Sequence, residues 1–256
     1  MKSVYLAIYS SLLAFILCTA SVADAAPLRT YIIGVENIDY YPAYRTENGH
    51  YIGYGRELLD TFAKARGYHF EYKPFPVPRL FANFFQGQLD FKFPDNPDWQ
   101  AEMRAGKNVV YSAPIAAYID GAMVRPDMAD AGIDRIKTLG TLVGFTPWAW
   151  MDAIKSKQVA LRENADLAAL AQQVIARRLD AAYGSVAVMN YQLDHVLKTP
   201  GALVFNPKLP YSKNHYFLST LKHPDVIREF NDWLKHNQAT VRALKAKYRV
   251  EEGVFQ

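Results

Sequence analysis

Cysteine is almost absent from this chain of 256 residues, where Cys18 stands alone. That excludes a disulfide framework and a zinc site built on thiolates. An excess of one charge is missing too: 29 lysines and arginines face 25 acids, which demands no nucleic-acid partner. His50, His69, His195, His215, His223 and His236 show no His-x-x-x-His or His-Glu-x-x-His spacing, so no helix-borne metal site is expected. There is no Gly-x-Ser-x-Gly elbow, no phosphate-binding glycine loop, no low-complexity linker and no solenoid period. No cofactor is expected. With half its residues hydrophobic and 21% charged, the chain is not disordered and can bury a sizeable core. Rings are what it has in quantity: 17 Tyr, 14 Phe and 4 Trp, more flat surface than such a core needs.

One long apolar run stands out. It extends from Val4 to Cys18, broken by Ser10 and Ser11, behind the positive Lys2. It is shorter than the roughly 20 residues of a membrane span. The small residues that follow include Ala23-x-Ala25, which predicts a signal peptide over 1–25 cleaved after Ala25. Cys18 leaves with it, and Leu17 before it is too large for a lipidation signal. The expectation is an exported, periplasmic protein without a thiol.

The remainder reads as α/β. Leu28 to Val35 is a buried strand, and Gly55 to Arg66 a helix with Leu58, Leu59, Phe62 and Ala65 on one face, stopped by Gly67. His69 to Lys73 is a strand, Arg79 to Gln86 a helix, and Leu89 to Phe93 a strand. This rhythm means parallel strands with crossover helices. Thr141 to Phe145, Ala149 to Lys155, Asp166 to Arg178, Asp180 to Gly184 and Val186 to His195 repeat it as strand, helix, helix, strand and helix. His215 to Thr220 is a further strand. Helical spacing then runs from Asp225 to Tyr248.

Several short segments in order carry a resemblance. They are Tyr41-Pro42-Ala43-Tyr44, Gly49 to Gly55 leading into Glu57-Leu58-Leu59, and Arg79 with Gly87-x-x-Asp90. Tyr111-Ser112-Ala113-Pro114, Arg178-Leu179-Asp180-Ala181-Ala182 and Phe230-Asn231-x-Trp233-Leu234 through Lys247-Tyr248 complete the set. Together they resemble bacterial extracellular solute-binding proteins of family 3, the receptors of polar amino-acid ABC transporters. The resemblance implies a two-lobed periplasmic-binding fold of type II with two crossover strands as hinge. Lobe 1 would be 26–118 plus 217–256, lobe 2 would be 119–216, and the hinge would lie near Tyr118–Asp120 and His215–Phe217. It also implies a monomer that takes a small-molecule ligand and docks on an ABC permease in the membrane.

The recognition residues of that family are displaced. Its usual carboxylate-gripping arginine, which matches a carboxylate bidentately, has no counterpart in the expected Thr-x-x-Arg. Arg104 lies one residue off in spacing and reads either as a cleft residue or as a solvated surface arginine. The family's ammonium-binding acid falls on Ser185, and the helix start of its second lobe falls on Trp148. A standard α-amino acid is therefore not the expected ligand. Rings stand in instead: Tyr40, Tyr41, Tyr44, Trp99, Trp148, Trp150 and Tyr183 could sandwich a planar solute or cage an alkylated ammonium. Asp39, Asp95 or Asp98 would supply countercharge, and the same rings equally suit a core. The candidate ligand residues are Tyr41, Tyr44, Arg79, Trp99, Arg104, Trp148 and Ser185, with no catalytic or metal residue among them. Asp90 and Asp180 read as caps at strand starts. Two other functions stay open: a periplasmic sensor or accessory protein, and a dehydratase on the same fold using Glu102, Arg104 and Arg79.

Overall fold

The computed structural model describes residues 28–254, so the expected signal peptide lies outside the described residues. Strand β1 (Arg29–Glu36) has Ile33 and Val35 fully buried and ends on a buried acid, Glu36. The chain then leaves the main sheet for a small antiparallel unit of β2 (Asp39–Tyr40), β3 (Tyr44–Glu47) and β4 (His50–Ile52). Gly53, at φ +111°, turns it into α1 (Tyr54–Arg66); a Cβ there would lie 2.8 Å from the Tyr44 Cα, so glycine is required. Helix α1 buries Leu58, Leu59 and Phe62 and stops at Gly67 in the left-handed conformation.

Strand β5 (Tyr68–Phe75) returns parallel to β1. Pro78 sits in the first turn of α2 (Val77–Phe85), where its missing N–H costs nothing. Strand β6 (Phe91–Asp95) then lies parallel on the other side of β1. A short α3 (Ala101–Arg104) and β7 (Val110–Tyr111) lead to β8 (Ala116–Val124).

The second group of strands follows. Parallel strands β9 (Thr138–Leu142) and β10 (Ala160–Asn164) are joined through a 3-10 turn at Trp148–Trp150 and α4 (Met151–Lys155). Helix α5 (Leu167–Ile175) is capped by Asp166, whose carboxylate accepts the Ala169 N–H at 2.5 Å. It leads to β11 (Ala181–Ser185), parallel to β9, and then to α6 (Val186–Tyr191), which widens into a π turn at Gln192–Val196. After β12 (Val204–Phe205), β13 (Ser212–Thr220) runs back antiparallel to β8, then pairs β6. The sheet order is β10-β9-β11-β8-β13-β6-β1-β5, so β8 and β13 join two α/β units. Helices α7 (Pro224–His236) and α8 (Gln238–Tyr248) close the chain, and α8 contacts α1.

Three differences from the sequence reading have physical causes. Strand β9 ends three residues before the expected Phe145, because the turn at Gly144 (φ +84°) ends extended backbone early. The expected run from Asp225 to Tyr248 is two helices: Asn237, at φ −114° and ψ 31°, leaves the helical region between them, its side chain donating to the Trp233 carbonyl at 2.9 Å. Strand β10 (Ala160–Asn164) was expected neither as strand nor as helix; its charged, half-exposed residues show an edge strand no apolar alternation. Asp90 and Asp180 do cap strands: Asp90 accepts the Ile32 N–H, and Asp180 accepts those of Lys137 and Thr138, each at 2.8 Å.

Candidate functional site

Strands from both parallel sets end at one crevice, as ligand edges of open α/β sheets do. Glu36 closes β1, the Gly144-Phe145-Thr146 turn follows β9, and Tyr183 lies near the end of β11. With Tyr40, Tyr44, Val77, Phe81, Trp99, Gln100, Asp120, Trp148 and Tyr216 they line a cleft with about 500 Å³ of empty space including its mouth. The interior of the cleft is narrow. A second hollow continues outward past Asn96, Asp98, Tyr118, Ser212 and Asn214, sharing Trp99, Asp120, Thr146, Trp148 and Tyr183 with the first.

The two sides of the cleft touch. The Ser185 N–H donates to the Tyr40 hydroxyl at 2.8 Å, and the Phe145 ring lies 5.4 Å from that of Tyr40. Gly144 comes so close to the start of α2 that a Cβ would meet Val77 and Pro78 at 3.1 Å. Tyr40 stacks on Tyr44 at 5.4 Å, and Tyr118 on Tyr216 at 4.5 Å, giving the cleft ringed walls on several elements.

Two acids face this space. Glu36 is buried, accepts the Tyr44 hydroxyl at 2.5 Å, and its carboxyl is pushed up by burial, with Lys92 and Tyr44 pulling the other way. Asp120 keeps some contact with the cleft, yet protein surrounds its carboxylate. Burial, and then the charge of Glu36, raise that carboxyl to about 7. The Asp120 carboxylate makes no hydrogen bond or ion pair with a described residue. Burial also raises the Tyr40, Tyr44 and Tyr216 phenols, which stay neutral donors or acceptors.

Of the expected ligand residues, the structure brings Tyr44, Trp99 and Trp148 together in the cleft. Ser185 stands just behind, its amide engaged by Tyr40. Arg104 is held elsewhere: Nε donates to the Trp99 carbonyl at 2.5 Å, and the guanidinium bonds Asp95 and the Tyr111 hydroxyl. Tyr41 lies outside the cleft, against Tyr191 and Tyr248 and beneath Arg45. Arg79 is exposed on α2, 5.8 Å from the Phe75 ring centroid. Trp150 belongs to a buried core and donates to the Pro210 carbonyl at 2.9 Å.

The expected countercharges are also corrected. Asp39 caps the Tyr41 amide, and Asp95 is consumed by Lys92, Arg104, the Asn96 amide and Ser219. Asp98 lines the outer hollow but accepts from Asn214 at 2.8 Å. Glu36, Asp120 and Tyr216 are the residues that the sequence reading missed. An acid ending an otherwise apolar strand, and one inside the apolar run Ala116–Val124, were the available signals.

No protein-family model and no curated protein matches the chain. Solved structures do. The arginine-, lysine-, histidine-binding protein ArtJ from Geobacillus stearothermophilus is similar over 88% of this chain and 100% of its own, with 17% identity and a TM-score of 0.68. A histidine kinase sensor domain with similarity to periplasmic binding proteins matches over 86% and 96%, at 18% identity and 0.70. An ancestral amino-acid-binding protein, a precursor of cyclohexadienyl dehydratase, matches over 86% and 94%, at 21% identity and 0.67. Sheet order, paired crossover strands and superposition over 86–88% of the chain agree: the chain has the two-lobed fold of the periplasmic solute-binding proteins.

Proposed function

We propose that the protein captures a small organic solute in the cleft between its two lobes and delivers it to a membrane permease of ABC type. The observation that carries this is the cleft itself: a ring-lined space at the strand ends, with an unpartnered carboxylate and contacts across it. The lobes would be 26–118 plus 217–256 and 119–216. The adjacent strands β8 and β13 would be the hinge, near Tyr118–Asp120 and His215–Phe217, since the two units join at that pair. A ligand that binds the closed arrangement better shifts an existing equilibrium toward it. The protein would act as a periplasmic monomer without catalysis.

Thermal shift of the purified protein against amines, amino acids, aromatic acids and sugars tests the reading. A solute at a hundred times its Kd adds about 2.7 kcal/mol of stability. The expected result is stabilisation by one chemical class, lost in Trp148→Ala; stabilisation by none contradicts capture. The likeness to a sensor domain supports a second reading, in which the same closure signals to a membrane partner. Retained uptake of the stabilising solute by cells lacking the protein would favour that second reading.

A further inference from the structure

The charges around the cleft are one-sided. Glu36 and Asp120 line the inner space, Asp98 and Asp120 the outer one, and no Lys, Arg or His lines either among the described residues. The two cations nearby are both spent. Lys92 bonds the Pro94 carbonyl at 2.6 Å and Asp95 at 3.2 Å, while Arg104 is fixed by Asp95, Tyr111 and the Trp99 carbonyl. Three amides of the turn after β9 are spent as well. Gly144 N–H meets Glu163, Phe145 N–H the Leu142 carbonyl, and Trp148 N–H the Thr146 carbonyl. A carboxylate entering here would meet acids without a compensating donor cluster. A cation would meet ring faces and an acid that lacks a partner.

We propose that the solute is a small organic ammonium ion carrying no carboxylate, held among the cleft rings with Asp120 as counterion. This rests on the reading of the cleft as a solute site. Rings of Tyr40, Tyr44, Phe145, Trp148, Tyr183 and Tyr216 supply negative π faces around the cation. Gln100 and Thr146 supply neutral polar atoms for a hydroxyl on the ligand. Several groups electrostatically coupled to Asp120 come from separate elements: Glu36 on β1, Tyr40 on β2, Tyr118 on β8, Tyr183 on β11 and Tyr216 on β13. None of them is basic, and the phenols stay neutral, so the only charge they can add beside Asp120 is the negative one of Glu36.

Titration calorimetry at pH 8 with choline and benzyltrimethylammonium tests this against benzoate and the uncharged carbon isostere of choline. The expected result is that a cationic probe binds at least tenfold tighter than both, and that Asp120→Asn removes most of that preference. Equal or tighter binding of the isostere or benzoate overturns the cation assignment, as does an Asp120→Asn variant with undiminished preference. If sugars or acids stabilise the protein while ammonium probes do not, the cation assignment fails and solute capture stands. If no solute of any class binds, both fail.

Discussion

Asp120 is the residue on which charge and shape meet. Its carboxyl sits near 7 in the folded chain against an ordinary value of 3.8, because burial and Glu36 oppose its ionisation. The folded state therefore holds this proton more tightly, and stability falls as pH rises through the window from about 4 to 7. Asp120→Asn should accordingly raise the Tm at pH 8, on the order of 5 °C, and leave it nearly unchanged at pH 4. A thermal melt at both pH values checks the sign; destabilisation at pH 8 would contradict it. Asp95 is the opposite case, buried with Lys92 and Arg104 and fully used. Removing it strands two cations, and Asp95→Ala should cost about 3–5 kcal/mol in chemical denaturation. A loss under 1 kcal/mol would show that the network is not holding β6 to its neighbours.

Elements set how the two sides of the cleft approach. The turn after β9 leans on the start of α2 because Gly144 carries no Cβ and takes φ +84°. Gly144→Val would both strain the turn and push the sides apart; solute affinity should fall at least tenfold, and the unliganded melt should fall as well. Tyr40→Phe removes the acceptor of the Ser185 N–H and should weaken solute binding about 2- to 10-fold, the worth of one hydrogen bond. Unchanged affinity would mean that the contact does not form in the bound state. Strands and helices with strong apolar spacing, such as α1 with Leu58, Leu59 and Phe62, were legible in the sequence to within a residue or two. Of the small β2–β4 unit, only the segment from Gly49 to Gly55 was noticed, and that through the resemblance. Edge strand β10, with Arg162 and Glu163, was not, since its pairing rests on backbone hydrogen bonds that leave no apolar pattern. At the site, ring positions Tyr44, Trp99 and Trp148 were legible. The fate of Arg104 was not, because its partners Asp95 and Tyr111 meet it only through the folding of β6 and β7.

At the scale of the whole molecule, two α/β units share one sheet through β8 and β13, and the ring-lined cleft lies at that seam. Structural likeness persists at 17–21% identity among the three solved structures compared. A hinge at the β8–β13 pair would let a guest enter a space whose interior is otherwise narrow. Tryptophan fluorescence offers the most direct test of the central claim, that solute is captured inside this cleft. Trp99 and Trp148 line it, whereas Trp150 and Trp233 are buried in the cores. Titration with a solute that stabilises the protein should shift the emission at the same midpoint as binding, and the shift should disappear in the Trp99→Phe, Trp148→Phe double variant. Binding of undiminished affinity with no change in emission from Trp99 or Trp148 would place the solute elsewhere and contradict the account.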